Sequence, residues 1–129
     1  MLNIENRIAK TILKERKEPE LIFVCSPLKA YGKYSFEYNI HLAQEYCREV
    51  AIEGNLPLAP HVYFTNFLED SIPYERELGF QLGLKLLKLC KIMNVYIRNG
   101  FKSEGMKNEI ELAGILGIKI NEIYIQDWG

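Results

Sequence analysis

Leu21-Ile22-Phe23-Val24-Cys25, closed at once by Ser26-Pro27, is the stretch that most narrows what this chain can fold into. A strand with one wet face alternates apolar and polar residues. An unbroken apolar run ended by a turn signal therefore reads as a strand covered on both faces, as in parallel sheets held between helical layers. Ile92-Met93-Asn94-Val95-Tyr96-Ile97 is a second strand, and residues 118–125 form the last.

The segments between them carry helical spacing. Residues 36–53 predict a helix whose inner face holds Ile40, Ala43, Cys47 and Val50, stopped by Gly54-Asn55. Leu56-Pro57-Leu58-Ala59-Pro60 allows only a short edge strand, because proline donates nothing to a ladder. Ser71 followed by Pro73 predicts a capped helix running to about Cys90, in which Gly79 and Gly83 let another backbone come close. Ser103 caps a further helix. Strands alternating with helices imply right-handed crossovers and an α/β, three-layer Rossmann-like or flavodoxin-like fold, its mostly parallel sheet holding four to five strands. Ile4, Ile8, Ile12 and Leu13 add an amphipathic N-terminal helix that Glu18-Pro19-Glu20 ends, so the chain divides into residues 1–19 and an α/β domain, 20–129.

In such sheets ligands bind beyond the carboxyl ends of the strands, where strand order reverses. Residues 26–39, 59–70 and 99–109 converge there. In the last of these, helical spacing puts Glu109 beside Met106 and Ala113, where Ile110 and Leu116 also turn inward; Glu104, Lys107, Asn108 and Glu111 face water. Desolvating a carboxylate costs free energy unless something compensates, so Glu109 is either functional or bonded to a nearby loop.

Composition excludes several classes. A chain of 129 residues, 48% hydrophobic and 26% charged, suits one domain with a real core. The formal net charge of -1 gives no field to recruit nucleic acid or an anionic membrane. Lys10, Lys14, Arg16 and Lys17 are balanced by Glu5, Glu15, Glu18 and Glu20 and read as a solvated face. Cys25, Cys47 and Cys90 form no C-x-x-C pair, which argues against a disulfide framework and fits a reducing cytoplasm. Two histidines without paired cysteines make no zinc site, and no metal or cofactor is expected. No signal core or membrane-length apolar run is present.

The loop Ser26-Pro27-Leu28-Lys29-Ala30-Tyr31-Gly32-Lys33-Tyr34 is neither a G-x-G-x-x-G nor a Walker fingerprint. Its hydroxyl, lysines and tyrosines suit a phosphate or sugar and a stacked base, or else are plain surface. His61, Asn66, Glu69 and Asp70 share a loop with Phe64 and Phe67, a grouping suited to a polar ligand with a flat ring. Arg76 either contacts a phosphate or pairs with Glu69 or Asp70. His41 falls with Glu45 and Arg48 on an outer helix face, and no G-x-S-x-G elbow occurs.

Together, Leu21 to Pro27, Asn39, Gly54, Pro57, Ala59-Pro60-His61, Phe64-Thr65-Asn66-Phe67-Leu68, Pro73, Glu75-Arg76, Gly79, Gly83 and Ser103-x-Gly105-Met106-x-x-Glu109 resemble a small uncharacterised bacterial and phage family. That family is itself similar to the nucleoside 2-deoxyribosyltransferases. The first resemblance covers about residues 20–120; the second rests on the strand-Ser-Pro start and the Gly-Met-x-x-Glu helix.

The resemblance implies a glutamate nucleophile, Glu109, that attacks the anomeric carbon, releases the base and holds the sugar until another base or water takes it. It implies that Ser26 and Pro27 hold the sugar side and that His61 or Asp70 protonates or orients the base. Lys29, Tyr31, Asn39, Asn66, Arg76, Ser103, Gly105 and Met106 would complete the ligand site. It also implies a homodimer or higher homo-oligomer, because related transferases complete their pockets across subunits. One departure is plain: Lys91 stands where the smaller family commonly shows an acid, which favours anionic ligands. The expected function is a nucleoside or nucleotide handling transferase or hydrolase of N-glycosidic bonds. The alternatives are a non-catalytic nucleotide-signal binder, for instance a phage counter-defence protein, and an oligomeric scaffold using the Gly79/Gly83 helix.

Overall fold

The apolar runs become the middle of the sheet. In the computed structural model, which describes residues 18–127, β1 (Leu21–Cys25) lies between β2 (Leu56–Leu58) and β3 (Ile92–Arg98), with β4 (Lys119–Ile125) outermost. All three pairings are parallel, so the order is β2-β1-β3-β4. The helices are α1 (Phe36–Ile52), the single turn α2 (Pro60–Tyr63) with a 3-10 turn at Phe64–Asn66, α3 (Pro73–Leu87) and α4 (Glu104–Ile115). The α/β fold with a four-stranded parallel sheet agrees with expectation. The helix expected from Ile4 to Leu13 lies outside the described residues. Among the described residues, no helix is long and apolar enough to cross a membrane.

Period-two alternation sorts the strand residues into two cores. Phe23, Cys25, Met93, Val95 and Ile97 pack with Leu87, Met106 and Ala113 beneath α3 and α4. Ile22, Val24 and Tyr96 pack with Tyr46 and Val50 beneath α1. Phe23 is fully buried, and truncating such a side chain to alanine costs about 3–5 kcal/mol. A polar pin crosses the sheet: Asn94 and Asn121 are register partners, Asn94 Oδ1 accepts from Asn121 Nδ2 at 3.2 Å, and Asn94 Nδ2 donates to the Tyr96 hydroxyl at 3.3 Å.

Several local expectations differ. The inner face of α1 is Asn39, Ala43, Tyr46 and Val50 instead of the Ile40 and Cys47 stripe, because Asn39 and Tyr46 find partners for their polar groups. Asn39 donates to the Leu28 and Lys29 carbonyls, each at 3.1 Å, and the Tyr46 ring stacks on Tyr96 with centroids 4.0 Å apart. Ile72, not Ser71, is the N-cap of α3, without a side-chain bond; Pro73 starts the helix, which ends at Leu87 short of Cys90.

Leu116 does not turn inward. Gly117 (φ +73°) donates to the Gly114 carbonyl and Ile118 to the Ala113 carbonyl, a Schellman closure that buries Ile118 and leaves Leu116 42% exposed. The α3 glycines admit side chains of this same domain instead of a foreign backbone. A Cβ on Gly83 would meet Pro60 Cγ at 3.0 Å, and one on Gly79 would meet Leu68 Cδ1 at 3.4 Å. Gly83 is buried under Pro60 and so is not available as the scaffold interface.

Candidate functional site

β1 and β3 are neighbours, yet the chain leaves β1 toward α1 on one face and leaves β3 toward α4 on the other. The strand order reverses between them, which is where sheets of this kind form a crevice at the carboxyl ends, between the loops that follow the two strands. Ser103 sets the start of α4, its Oγ accepting the Met106 N–H at 3.2 Å. That helix then delivers Glu109 from its second turn onto the end of β1.

Glu109 is buried, at 5% exposure, and Cys25 Sγ donates to its Oε1 at 3.4 Å. Burial pushes the carboxyl from 4.5 to about 8, against a smaller lowering by the Cys25 hydrogen bond. The Cys25 thiol is raised well above its ordinary value by its own burial first and then by the Glu109 charge, while Lys102 pulls the other way. At neutral pH the pair is therefore mostly an un-ionised acid against a thiol. Ser26, beside it, is 2% exposed, and its Oγ has no hydrogen-bond partner among the described residues.

His61 lies in α2, its Nε2 2.7 Å from the Ser26 carbonyl oxygen. A carbonyl only accepts, so Nε2 carries the proton and Nδ1 holds the lone pair of the neutral ring. Burial lowers the ring's pKa, and the Ser26 bond and the Asp70 charge oppose that without reversing it. His61 thus clamps the end of β1, with Asp70 half-buried in electrostatic range.

The remaining expected residues divide. Pro27 and Asn39 are buried at the crevice, and both Asn39 bonds shape the Leu28-Lys29 turn. Tyr31 stacks on Phe101 with centroids 3.8 Å apart, joining the loops across the crevice. Lys29 is exposed, and a Cβ added at Gly105 would meet Ser103 Oγ at 3.9 Å, an ordinary contact. Met106, 1% exposed, is a core residue beside Glu109. Asn66 uses its amide hydrogens on the Val62 and Tyr63 carbonyls, at 2.7 and 3.2 Å. Arg76 is exposed and makes no ion pair with Glu69 or Asp70; Glu75 instead accepts the Glu69 N–H at 3.0 Å. Lys91 is exposed ahead of β3, at the opposite end of the sheet from Glu109, so its charge does not bear on this crevice.

Sequence reasoning missed a second polar cluster at the same end. Arg98, the last residue of β3 and 8% exposed, donates Nη2–H to the Tyr46 hydroxyl at 2.9 Å and pairs through Nη1 with Asp127. The Tyr34 hydroxyl donates to Asp127 and accepts from Asn99 Nδ2 at 3.1 Å. Asn99 (φ +53°) and Gly100 (φ +77°) make the left-handed turn that Asn-Gly favours. That dipeptide, directly after an apolar strand, was the available signal.

A Rossmann-like α/β domain with an acid buried at its switch point is the class this geometry defines. Among solved structures, the 2-deoxyribosyltransferase of the psychrotolerant bacterium Bacillus psychrosaccharolyticus is similar with a TM-score of 0.60 and 18% identity, over 81% of this chain and 72% of that one. The 2-desoxiribosyltransferase of Leishmania mexicana is similar with a TM-score of 0.56 and 14% identity, over 82% of this chain and 65% of that one. At these identities the likeness is one of fold. No curated protein matches the sequence. Residues 20–123 match the family described as a domain of unknown function, DUF7768, and the chain belongs to that family.

Proposed function

We propose that this protein cleaves the N-glycosidic bond of a nucleoside or nucleotide, with Glu109 as the nucleophile. The observation that carries the reading is a carboxyl buried at the switch-point crevice with a thiol, not a cation, as its hydrogen-bond partner. The ionised Glu109 forms a bond to the anomeric carbon as the carbon–nitrogen bond breaks, and the base departs with the bonding pair and takes a proton from solvent. Water or a second base then displaces the sugar from Glu109. Cys25 orients one oxygen, and the unpartnered Ser26 hydroxyl is available to the sugar. In a site of low dielectric, the positive charge developing on the sugar ring stabilises the carboxylate most in the transition state.

The carboxylate is the reacting form, so kcat/KM for base release should rise with pH up to about 8 and level above it. A general-acid role for Glu109 would give the opposite limb. The direct test is base release or transfer from a panel of deoxynucleosides, nucleotides and NAD, with Glu109→Ala beside the wild type. Turnover that survives in the variant sinks the proposal.

The un-ionised state of Glu109 at neutral pH favours a second reading, a binder that uses the neutral carboxyl as a hydrogen-bond donor. Glu109→Gln separates the two, because the amide keeps a donor and loses the nucleophile. Retained ligand affinity without wild-type turnover marks the binder. Free thiols at Cys25, Cys47 and Cys90 support a reducing, cytoplasmic setting for either. A homo-oligomer is part of the proposal, supported by the seven-residue edge strand β4.

A further inference from the structure

The Arg98 cluster plays no part in the chemistry assigned to Glu109, and its composition is that of an anion site. Arg98 Nη1 and the Tyr34 hydroxyl each donate to one oxygen of Asp127, and the Lys33 charge also reaches that carboxylate. We propose that Arg98, Tyr34 and Asn99 form a binding site for a phosphomonoester, and that Asp127 occupies it as an internal stand-in that the ligand displaces.

Three observations support it. First, one donor is left over: Arg98 Nε is buried and has no hydrogen-bond partner among the described residues, and a phosphate brings a third oxygen where a carboxylate has two. Second, the occupant is held through its side chain, by the same groups that a ligand would take over. Asp127 lies beyond the end of β4, outside regular structure, its side chain 27% exposed against 10% for Arg98, and its backbone is tied by one bond to Asn99 Oδ1 at 3.0 Å. Third, charge dictates the class of ligand. Removing Asp127 leaves a buried guanidinium uncompensated, which is costly, so only an anion can replace it. A neutral nucleoside cannot.

The position suits a nucleotide. Cys25, the hydrogen-bond partner of Glu109, is in register with Val95, and Arg98 lies three residues further along β3, about 10 Å at the usual strand rise. Tyr34 comes from the loop after β1, so the site bridges the same crevice. A 5′-phosphate is a few bonds from the anomeric carbon on which Glu109 would act. The assignment to a nucleotide phosphate rests on the Glu109 reading; the anion site itself does not.

The test is calorimetric titration of the full chain, wild type and Asp127→Asn, with inorganic phosphate, a nucleoside 5′-monophosphate and the matching nucleoside. Removing the internal competitor should tighten phosphate and monophosphate binding by about 10-fold or more, because the apparent affinity scales with the open fraction of the site. Nucleoside affinity should be unchanged. Tyr34→Phe in the Asp127→Asn background should then weaken phosphate binding by about 10-fold. If Asp127→Asn does not fold, the Arg98 Nε–H resonance of wild type, followed by NMR during phosphate titration, decides the matter, since a ligand at this site must shift it.

A folded Asp127→Asn that binds phosphate no tighter than wild type, or an Arg98 resonance indifferent to phosphate, overturns the site. Tighter inorganic phosphate without tighter monophosphate overturns the nucleotide assignment. Base release lost with Glu109→Ala but no phosphate effect leaves the glycosidic chemistry standing alone, and a phosphate effect without base release leaves only the anion site.

Discussion

Glu109 and Asp127 are two acids at the same end of one sheet, and their surroundings separate them. Glu109, on the α4 side, has a thiol for a partner, and burial raises its pKa to about 8. Asp127, on the α1 side with Arg98, is held below the usual carboxylate range, chiefly by the Tyr34 hydroxyl and then by the Arg98 and Lys33 charges, which outweigh desolvation. One group stores a proton and the other a charge. Environments that drive like groups apart in this way divide acid–base from electrostatic roles within a single site.

The contrast can be broken most severely by removing the proton-storing acid. Glu109→Gln should lower kcat for base release on the order of 10⁴-fold, measured by chromatography of the freed base, and leave phosphate affinity at Arg98 unchanged. Next is the pH dependence of stability. The folded Glu109 keeps its proton to about 8 while the unfolded chain releases it near 4.5, so the folded state binds more protons between those values. Stability from Glu109 is whole below pH 4.5 and is lost as pH rises to about 8, by at most about 5 kcal/mol. Urea titrations across that window should show the fall in wild type and a flatter profile in Glu109→Gln. Asp127 acts with the opposite sign: its stabilisation is present above 3.8 and disappears as pH falls, so Asp127→Asn should flatten only the acid limb.

Smaller changes sharpen the comparison. Tyr46→Phe removes the bond that orients Arg98 from α1 and should cost about 1–3 kcal/mol in chemical denaturation, without altering the Glu109 pH profile. Gly83→Ala presses on Pro60, which precedes the His61 clamp on Ser26, and should cost about 1 kcal/mol net after the helix-propensity gain. It should perturb base release and spare the Arg98 side. Gly79→Ala, which meets only the flexible end of Leu68, should be neutral or slightly stabilising by melting temperature.

What was legible in the sequence followed from periodicity. The doubly covered strands, the alternation with helices and the burial of Glu109 beside Met106 and Ala113 all come from spacing that survives folding unchanged. What was not legible depends on distant partners. The inner face of α1 departs from the periodic pattern because Tyr46 meets Arg98, 52 residues away, and Arg98 is invisible as a buried group without Asp127, 29 residues further on. Cys25 looked like one more core residue until α4 set Glu109 against it across 84 residues. A hydropathy pattern prices each residue alone, whereas a buried polar group is permitted by its partner.

The amide pair between Asn94 and Asn121 gains a consequence from this arrangement. It locks the edge strand in one register against its neighbour, and the length of β4 beyond that lock sets how far the following residues reach. A slip of two positions, the smallest that keeps side chains on their faces, would carry Asp127 about 7 Å from the guanidinium it neutralises. The amide pair, whose Asn94 is in register with Val24 just before Cys25, therefore acts as a gauge for the mouth, and exchanging Asn121 for a branched aliphatic would mistune the closure while leaving every residue of the crevice intact.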